Sequence, residues 1–453
     1  MATIQENERK TVVILVDNVR RDLYGSVLAA YQMEQRGIRC YLEPLESYKA
    51  VLEAYRPGMI IFNHLTASHL VKYSKRLAEV GVLTAVLPNE LSYSQEITAF
   101  LAGRFHKDAH IDVQFCWNEQ HKQAVLNEGF TSRLDVIGVP RFDFYFHPWS
   151  KIFPQPPHKK RPVVLFVANF VLARFNDMPK SAADKHFRDW KDRSSFAHTY
   201  WDAIKTNHAN RSRSLTFLNE LIQCDRYHII VRPHPSEDHQ FYHNWFDQLP
   251  PSQKQHIELD AQSNIGELLL RCDISLACEM CTTVLESWIA KRPLVQLVFD
   301  RSSSFYTSLT THLNVECEHP NELPALVDAQ LSDPSQSHLA AGRAEHLHEW
   351  CNSPDGNSTQ RMVDIIEEML DNKPLANWSL LKSDDYLRGA KLRTLSALGL
   401  PYYWSPLLKI KHKLSTKYAL KMLAYNKNVK KENVQALQAM FHDRLDPHTK
   451  PAQ

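Results

Sequence analysis

Short β-rich runs alternate with amphipathic stretches along the first 137 residues. The runs are Val12–Val16, Arg39–Leu42, Met59–Phe62, Leu83–Leu87, Asp112–Cys116 and Leu134–Ile137. Between them Ser26–Arg36, Glu46–Tyr55, Ser68–Val80 and Asn118–Glu128 carry apolar residues at helical spacing. Gly37, Gly81 and Gly129 each follow a helical stretch, the place for a left-handed stop. The alternation predicts right-handed βαβ units around a parallel sheet.

Residues 147–162 break the pattern with prolines and basic residues, as an interdomain linker does. Strand-like runs then resume at Val163–Ala168, Tyr227–Val231, Ile257–Leu259, Asp273–Ala277 and Leu294–Phe299. Segment 171–213 is long, polar and poor in apolar periodicity, which predicts an insertion holding one or two helices. Beyond residue 320 the pattern is helical, near 322–331, 338–351 and 358–371. The expected architecture is α/β: two Rossmann-like parallel-sheet domains facing a cleft, with a helical C-terminal appendage. The expected boundaries are 1–146, a linker at 147–162, 163–372 and a basic tail at 373–453.

Length and composition agree with this organisation. The 453 residues suffice for two α/β domains, and 43% hydrophobic with 23% charged residues is ordinary for a soluble chain. Residues 401–453 hold ten Lys/Arg against Glu432, Asp443 and Asp446, so the remainder is near −5 within a net charge of +2. No apolar run nears the roughly 18–20 residues that span a bilayer. The run Thr11–Val16 is too short for a signal-peptide core, so a cytoplasmic location is expected. Eight scattered cysteines fit a reducing compartment. Cys278 and Cys281 have metal-like spacing, but no second pair or nearby His completes a zinc site, so no metal or cofactor is expected.

The candidate chemistry lies where strands end. Tyr227–Val231 runs into Arg232-Pro233-His234-Pro235, and Asp273–Ala277 runs into a turn from Cys278 to Thr283 that opens a helix. In an open parallel sheet such loops lie at the carboxyl ends of strands, where ligands bind. A guanidinium and an imidazole on one loop, with hydroxyls and helix-start N–H groups on the other, suit nucleotide phosphates. Asn169 ends another strand and joins this set, as does Glu279. Glu286 has two readings: the acidic end of a Thr283–Glu286 capping box, or an acceptor for a ribose hydroxyl. Glu237 and Asp238 are expected to cap the next helix.

The first loop, Val16 to Gly25, lacks the glycine fingerprint of a redox dinucleotide site. Asn18 and Arg20 are candidates for acting on an acceptor, or else for helix capping with Asp17 and Asp22. Glu90, after Leu83–Leu87, is either a general base for an acceptor hydroxyl or an exposed loop carboxylate. Arg141 and Asp143 are expected to form an ion pair at the domain junction. In the tail, Leu407, Ile410, Leu414, Tyr418, Met422 and Tyr425 recur every three or four residues among lysines. Such a helix either lies on an anionic inner-membrane surface or packs on the protein with a solvated lysine face.

These motifs carry a resemblance. The Val-Asp-Asn-x-x-Arg-Asp loop at 16–22, Gly-x-Pro-Arg-Phe-Asp at 138–143, Arg-Pro-His-Pro and Cys-Thr-Thr-x-x-Glu resemble, in order, the bacterial surface carbohydrate biosynthesis proteins. That group is related to glycosyltransferases of the GT-B fold. The Arg-Pro-His-Pro loop also resembles the His-Pro motif of capsule sialyltransferases, Kdo transferases and polyol-phosphate polymerases. The resemblance spans about residues 11–300 and implies donor-phosphate binding by Arg232, His234, Thr282 and Thr283, with Glu286 at the nucleoside. It implies metal-free sugar transfer from a CMP-, CDP- or UDP-linked donor to a polysaccharide or lipopolysaccharide acceptor, with no nucleic-acid partner. A polyol-phosphate transferase, a nucleotide-sugar 2-epimerase and a non-catalytic scaffold are the alternatives. The chain departs from the group after the fourth strand, where Glu90 lacks the following glycine.

Overall fold

The computed structural model describes residues 10–88, 95, 98, 102, 108–154, 161–187, 196–279, 281–301, 312–402 and 429–446. The chain divides into two compact units, residues 1–152 with 348–453, and residues 153–347. In chain order the first unit carries β1 (Thr11–Val16), α1 (Val19–Glu34), β2 (Arg39–Pro44), α2 (Val51–Tyr55) and β3 (Met59–Phe62). It continues with α3 (Ser68–Val80), β4 (Leu83–Val86), β5 (Val113–Cys116), α4 (Glu119–Asn127) and β6 (Arg133–Val136). The second unit carries β7 (Val163–Val167), α5 (Lys180–His186), α6 (Phe196–Gln223), β8 (His228–Arg232), α7 (Gln240–Gln248) and β9 (Ile257–Leu259). Then come α8 (Ile265–Arg271), β10 (Ile274–Ala277), α9 (Thr282–Ile289), β11 (Leu294–Leu297), β12 (Val315–Cys317) and α10 (Leu323–Ser332). The chain ends through α11 (Ser337–Cys351), α12 (Ser358–Asn372), α13 (Ser383–Ala397) and α14 (Lys431–Leu445).

Both sheets are parallel, ordered β2-β1-β3-β4-β5-β6 and β12-β11-β10-β7-β8-β9. Each is Rossmann-like, with strand order reversing between β1 and β3 in the first unit and between β7 and β10 in the second. Gly37, Gly81 and Gly129 close α1, α3 and α4 in the left-handed region, with φ of 74°, 85° and 81°.

Strand periodicity sorts the core of the first unit. Val13, Leu15, Ile60 and Phe62 face one layer with Leu70, Leu77 and Val125. Val12, Ile14, Met59 and Ile61 face the other, with Ala29, Ala30 and Met33 of α1. In the second unit Val164, Phe166, Ile229, Val231, Ile274 and Leu276 pack against Phe217, Leu218 and Leu221 of α6.

Four sequence expectations are corrected. Residues 358–372 belong to the first unit, because Met362, Val363, Ile366 and Leu370 of α12 complete the layer around Val12 and Ile14. The tail is not a separate appendage: Leu392 of α13 joins the other core layer, and Phe441 of α14 meets Tyr31 and Phe144. The insertion at 171–213 holds α5 and the start of α6, the one or two helices expected, but α6 runs past its bound to Gln223. Asp143 does not pair with Arg141; its carboxylate accepts the Ser358 and Thr359 N–H groups at 3.0 and 2.7 Å, while Arg141 lies over the Trp117 ring. Strand β12, three residues at the edge of the second sheet, was not read from the sequence.

Candidate functional site

The second sheet brings three loops together. Register pairs Arg232 with Val167 and Val167 with Ala277, so β8, β7 and β10 end level. The ladder runs one residue further, with Ala168 N–H on Arg232 O at 3.0 Å and Cys278 N–H on Val167 O at 3.2 Å. Adjacent strands lie about 4.8 Å apart, so the backbones of Arg232 and Ala277 are separated by roughly 10 Å. The loops carrying Asn169, Arg232–His234 and Cys278–Thr283 therefore leave side by side. They straddle the β7/β10 reversal, the crevice position of a Rossmann sheet.

Arg232 is 5% exposed, and its Nη1 donates to Asp260 O at 3.3 Å. That bond holds the guanidinium at the strand end, and the planar N–H fork of an arginine suits phosphate oxygens. His234 is oriented from below. The Ser236 N–H donates to Nδ1 at 3.1 Å, which places the neutral ring's proton on Nε2. The His234 backbone N–H donates to Glu237 Oε1 at 3.1 Å.

Glu237 does not cap α7, a correction to the sequence reading. Its Oε1 also accepts the Phe170 N–H at 2.8 Å, and its Oε2 accepts the Tyr242 hydroxyl at 2.7 Å. Burial pushes its carboxyl above the usual range. Asp238 does serve the helix start, accepting the Gln240 N–H at 3.0 Å.

Glu279 is buried beneath the third loop. Its oxygens accept Asn207 Nδ2 at 2.8 Å and Asn210 Nδ2 at 3.1 Å, both from α6. Asn207 Oδ1 in turn accepts the Leu172 and Ala173 N–H groups at 2.9 and 3.0 Å. Burial pushes the Glu279 carboxyl up to about 8, and the neighbouring Glu237 charge adds to the rise. One turn along α6, Arg211 is buried over the Phe241 ring at 4.2 Å. Its Nε and Nη1 have no hydrogen-bond partner among the described residues.

Asn207, Asn210 and Arg211 were not singled out from sequence. Their spacing of three and four residues, with buried Ser214 one turn on, was the available signal: one polar helix face turned inward.

Thr282 opens α9 and is half-buried, while Thr283 is largely buried. The capping box expected from Thr283 and Glu286 does not form. Cys281 is the N-cap residue with no side-chain cap bond, which puts Thr283 at the second helical position and Glu286 too far along to reach back. Glu286 is 3% exposed within α9. Asn169 is half-buried, directly after β7.

The remaining sequence candidates belong to the first unit. Asn18 caps α1, its Oδ1 accepting the Arg20 N–H at 3.0 Å and its own N–H donating to Asp22 Oδ2 at 3.0 Å. Asn63 Nδ2 also donates to Asp22 Oδ2 at 2.8 Å, so this loop is built as a capped turn. Beside it a concavity is lined by Ile14, Arg21, Asp22, Pro88, Val139 and Arg141. Glu90 lies outside the described residues, as does most of the basic stretch at 401–430. Among the described residues no His/Cys/Asp/Glu group could hold a metal ion, and no helix is long and apolar enough to cross a membrane.

No family model matches the chain, and no curated protein matches it by sequence. Solved structures that are similar include Anabaena Alr3699/HepE in complex with UDP and glucose, at 12% identity, with 79% of this chain and 100% of that chain covered and a TM-score of 0.42. The wall teichoic acid polymerase TagF with CDPG follows at 14%, covering 81% and 90%, TM-score 0.48. The Methanocaldococcus jannaschii UDP-GlcNAc 2-epimerase in complex with UDP-GlcNAc and UDP stands at 13%, covering 79% and 100%, TM-score 0.45. At such identities and scores, function rests on the geometry above.

Proposed function

We propose that this chain is a glycosyltransferase that uses a nucleotide-activated sugar and acts without a metal. The observation that carries the reading is the level ending of β7, β8 and β10 at the strand-order reversal, with Asn169, Arg232, His234 and Thr282 on the three loops. A leaving nucleotide gains negative charge as the glycosidic bond breaks. Arg232, the Nε2–H of His234 and the first N–H groups of α9 are the chain's means of stabilising it. Arg232 and His234 then bind the donor phosphates, Asn169 and Thr282 position them, and Glu286 and Thr283 support the loop from within. The donor is CMP-, CDP- or UDP-linked, and the acceptor is a surface polysaccharide or lipopolysaccharide. Asn18, Arg20 and Glu90 of the first unit are the candidates for handling the acceptor, with Glu90 as base.

The test is a thermal-shift and titration panel of CMP, CDP, UDP and GDP on the full chain. One of them should raise Tm in wild type and not in Arg232→Ala, because a ligand that binds only the folded state stabilises it. No shift from any of the four would refute the reading. Incubating the binding donor without acceptor separates transfer from 2-epimerisation, which alone proceeds to an isomeric sugar nucleotide. The basic repeat at 401–430 is proposed to rest on anionic membrane, and flotation with phosphatidylglycerol vesicles, compared with a chain lacking 401–453, checks it.

A further inference from the structure

The three loops are tied to one another by buried side chains. Glu237 Oε1 joins the loop after β7 to the loop after β8, through the Phe170 and His234 N–H groups. Glu279 and Asn207 join the loop after β10 to the loop after β7, through Asn207 Nδ2 on one side and the Leu172 and Ala173 N–H groups on the other. Tyr242 and Asn210 anchor the two carboxyls to α7 and α6. Asn169 is flanked by these ties, and His234 is held both at its backbone by Glu237 and at its ring by Ser236.

We propose that Glu237 and Glu279 are positioning residues that pre-form the pocket for a nucleoside diphosphate. This rests on the function proposed above and extends it from the residues that meet the phosphates to those that set their spacing. Four backbone N–H groups are spent on two buried side chains, Glu237 and Asn207, so the loops are prevented from closing on themselves. Misplacement of a positioned group by about 1 Å is enough to lose much of its effect. The role is geometric and not one of charge. In Glu237→Gln the amide oxygen can still accept both backbone N–H groups, while its NH2 donates to the Tyr242 oxygen. In Glu279→Gln the fixed Asn207 keeps the oxygen, and Asn210 turns its own oxygen toward the new NH2.

The test is titration of the full-length variants with UDP and CDP, and with uridine and cytidine as phosphate-free probes. Glu237→Ala should weaken the diphosphate that binds wild type by about tenfold or more, leave the matching nucleoside within about threefold, and Glu237→Gln should restore binding. Equal loss for diphosphate and nucleoside, or no loss in Glu237→Ala, would overturn the positioning role. Should Glu237→Ala not fold, Glu237→Asp, one methylene shorter, must give the same phosphate-selective loss. Wild type binding neither diphosphate would overturn the diphosphate pocket and the positioning role with it, whereas wild type binding none of CMP, CDP, UDP and GDP would overturn the function itself.

Discussion

Glu279 is a buried carboxyl whose charge the fold resists. It faces Asn207 and Asn210 of α6, with Cys278 beside it in the chain and the Glu237–Arg211 cluster close by. Its folded value, about 8, lies above the unfolded one, so its contribution to stability is full below pH 4.5 and is lost as pH rises through about 8. While the native state alone holds the proton, that loss amounts to roughly 1.4 kcal/mol per pH unit. Urea unfolding of wild type and Glu279→Gln from pH 5 to 8 should therefore give a steeper decline in wild type; parallel curves would exclude the assignment. His234 is a different case, since its Nε2–H is the donor proposed to meet the leaving group. His234→Ala should slow transfer by about two to three orders of magnitude with a smaller change in donor KM. Near-normal kcat would remove it from the chemistry.

At the scale of elements, α12 is held at its N-terminus by a side chain distant in sequence. Asp143, 1% exposed, accepts the first two N–H groups of α12 at 3.0 and 2.7 Å. These are donors a helix cannot satisfy internally, and a carboxylate there also meets the positive end of the dipole. Asp143→Ala should lower unfolding free energy by about 1–3 kcal/mol, with Asp143→Asn losing less because one oxygen remains. Chemical denaturation reads this directly, and two variants as stable as wild type would contradict it. Helix α6 shows the opposite use of an element. Its Phe217, Leu218 and Leu221 fill the core, while one polar stripe, Asn207 to Arg211, faces the strand ends.

For the whole molecule, chain order and unit membership diverge. The second unit is one continuous segment, whereas the first requires residues from both ends of the chain. A fragment spanning 153–351, ending with α11, should fold cooperatively by circular dichroism and thermal melting. A fragment spanning 1–152 should not, because Val12, Ile14, Met59 and Ile61 would lose the apolar face of α12 and remain exposed. A cooperative melt from the 1–152 fragment would show that α12 is dispensable to that core.

The sequence by itself determined the described strands other than β12, and their direction. The run Met59–Phe62 coincides with the observed strand, because four apolar residues in succession have nowhere to go but a sheet interior. It also pointed to Arg232 and His234, since the flanking prolines fix the backbone and lower the ordering cost of presenting both side chains at a strand end. What it did not reveal were contacts between residues far apart in the chain. Glu237 read locally as a helix cap, Glu279 as a donor-binding residue of the turn, and Asn207 as part of a polar insertion. Only the folded sheet brings Phe170 to Glu237 and Asn207 to Glu279, partners 67 and 72 residues apart, because parallel crossovers place distant strand ends side by side. Local pattern records which surfaces seek burial; tertiary packing alone decides which polar groups then meet.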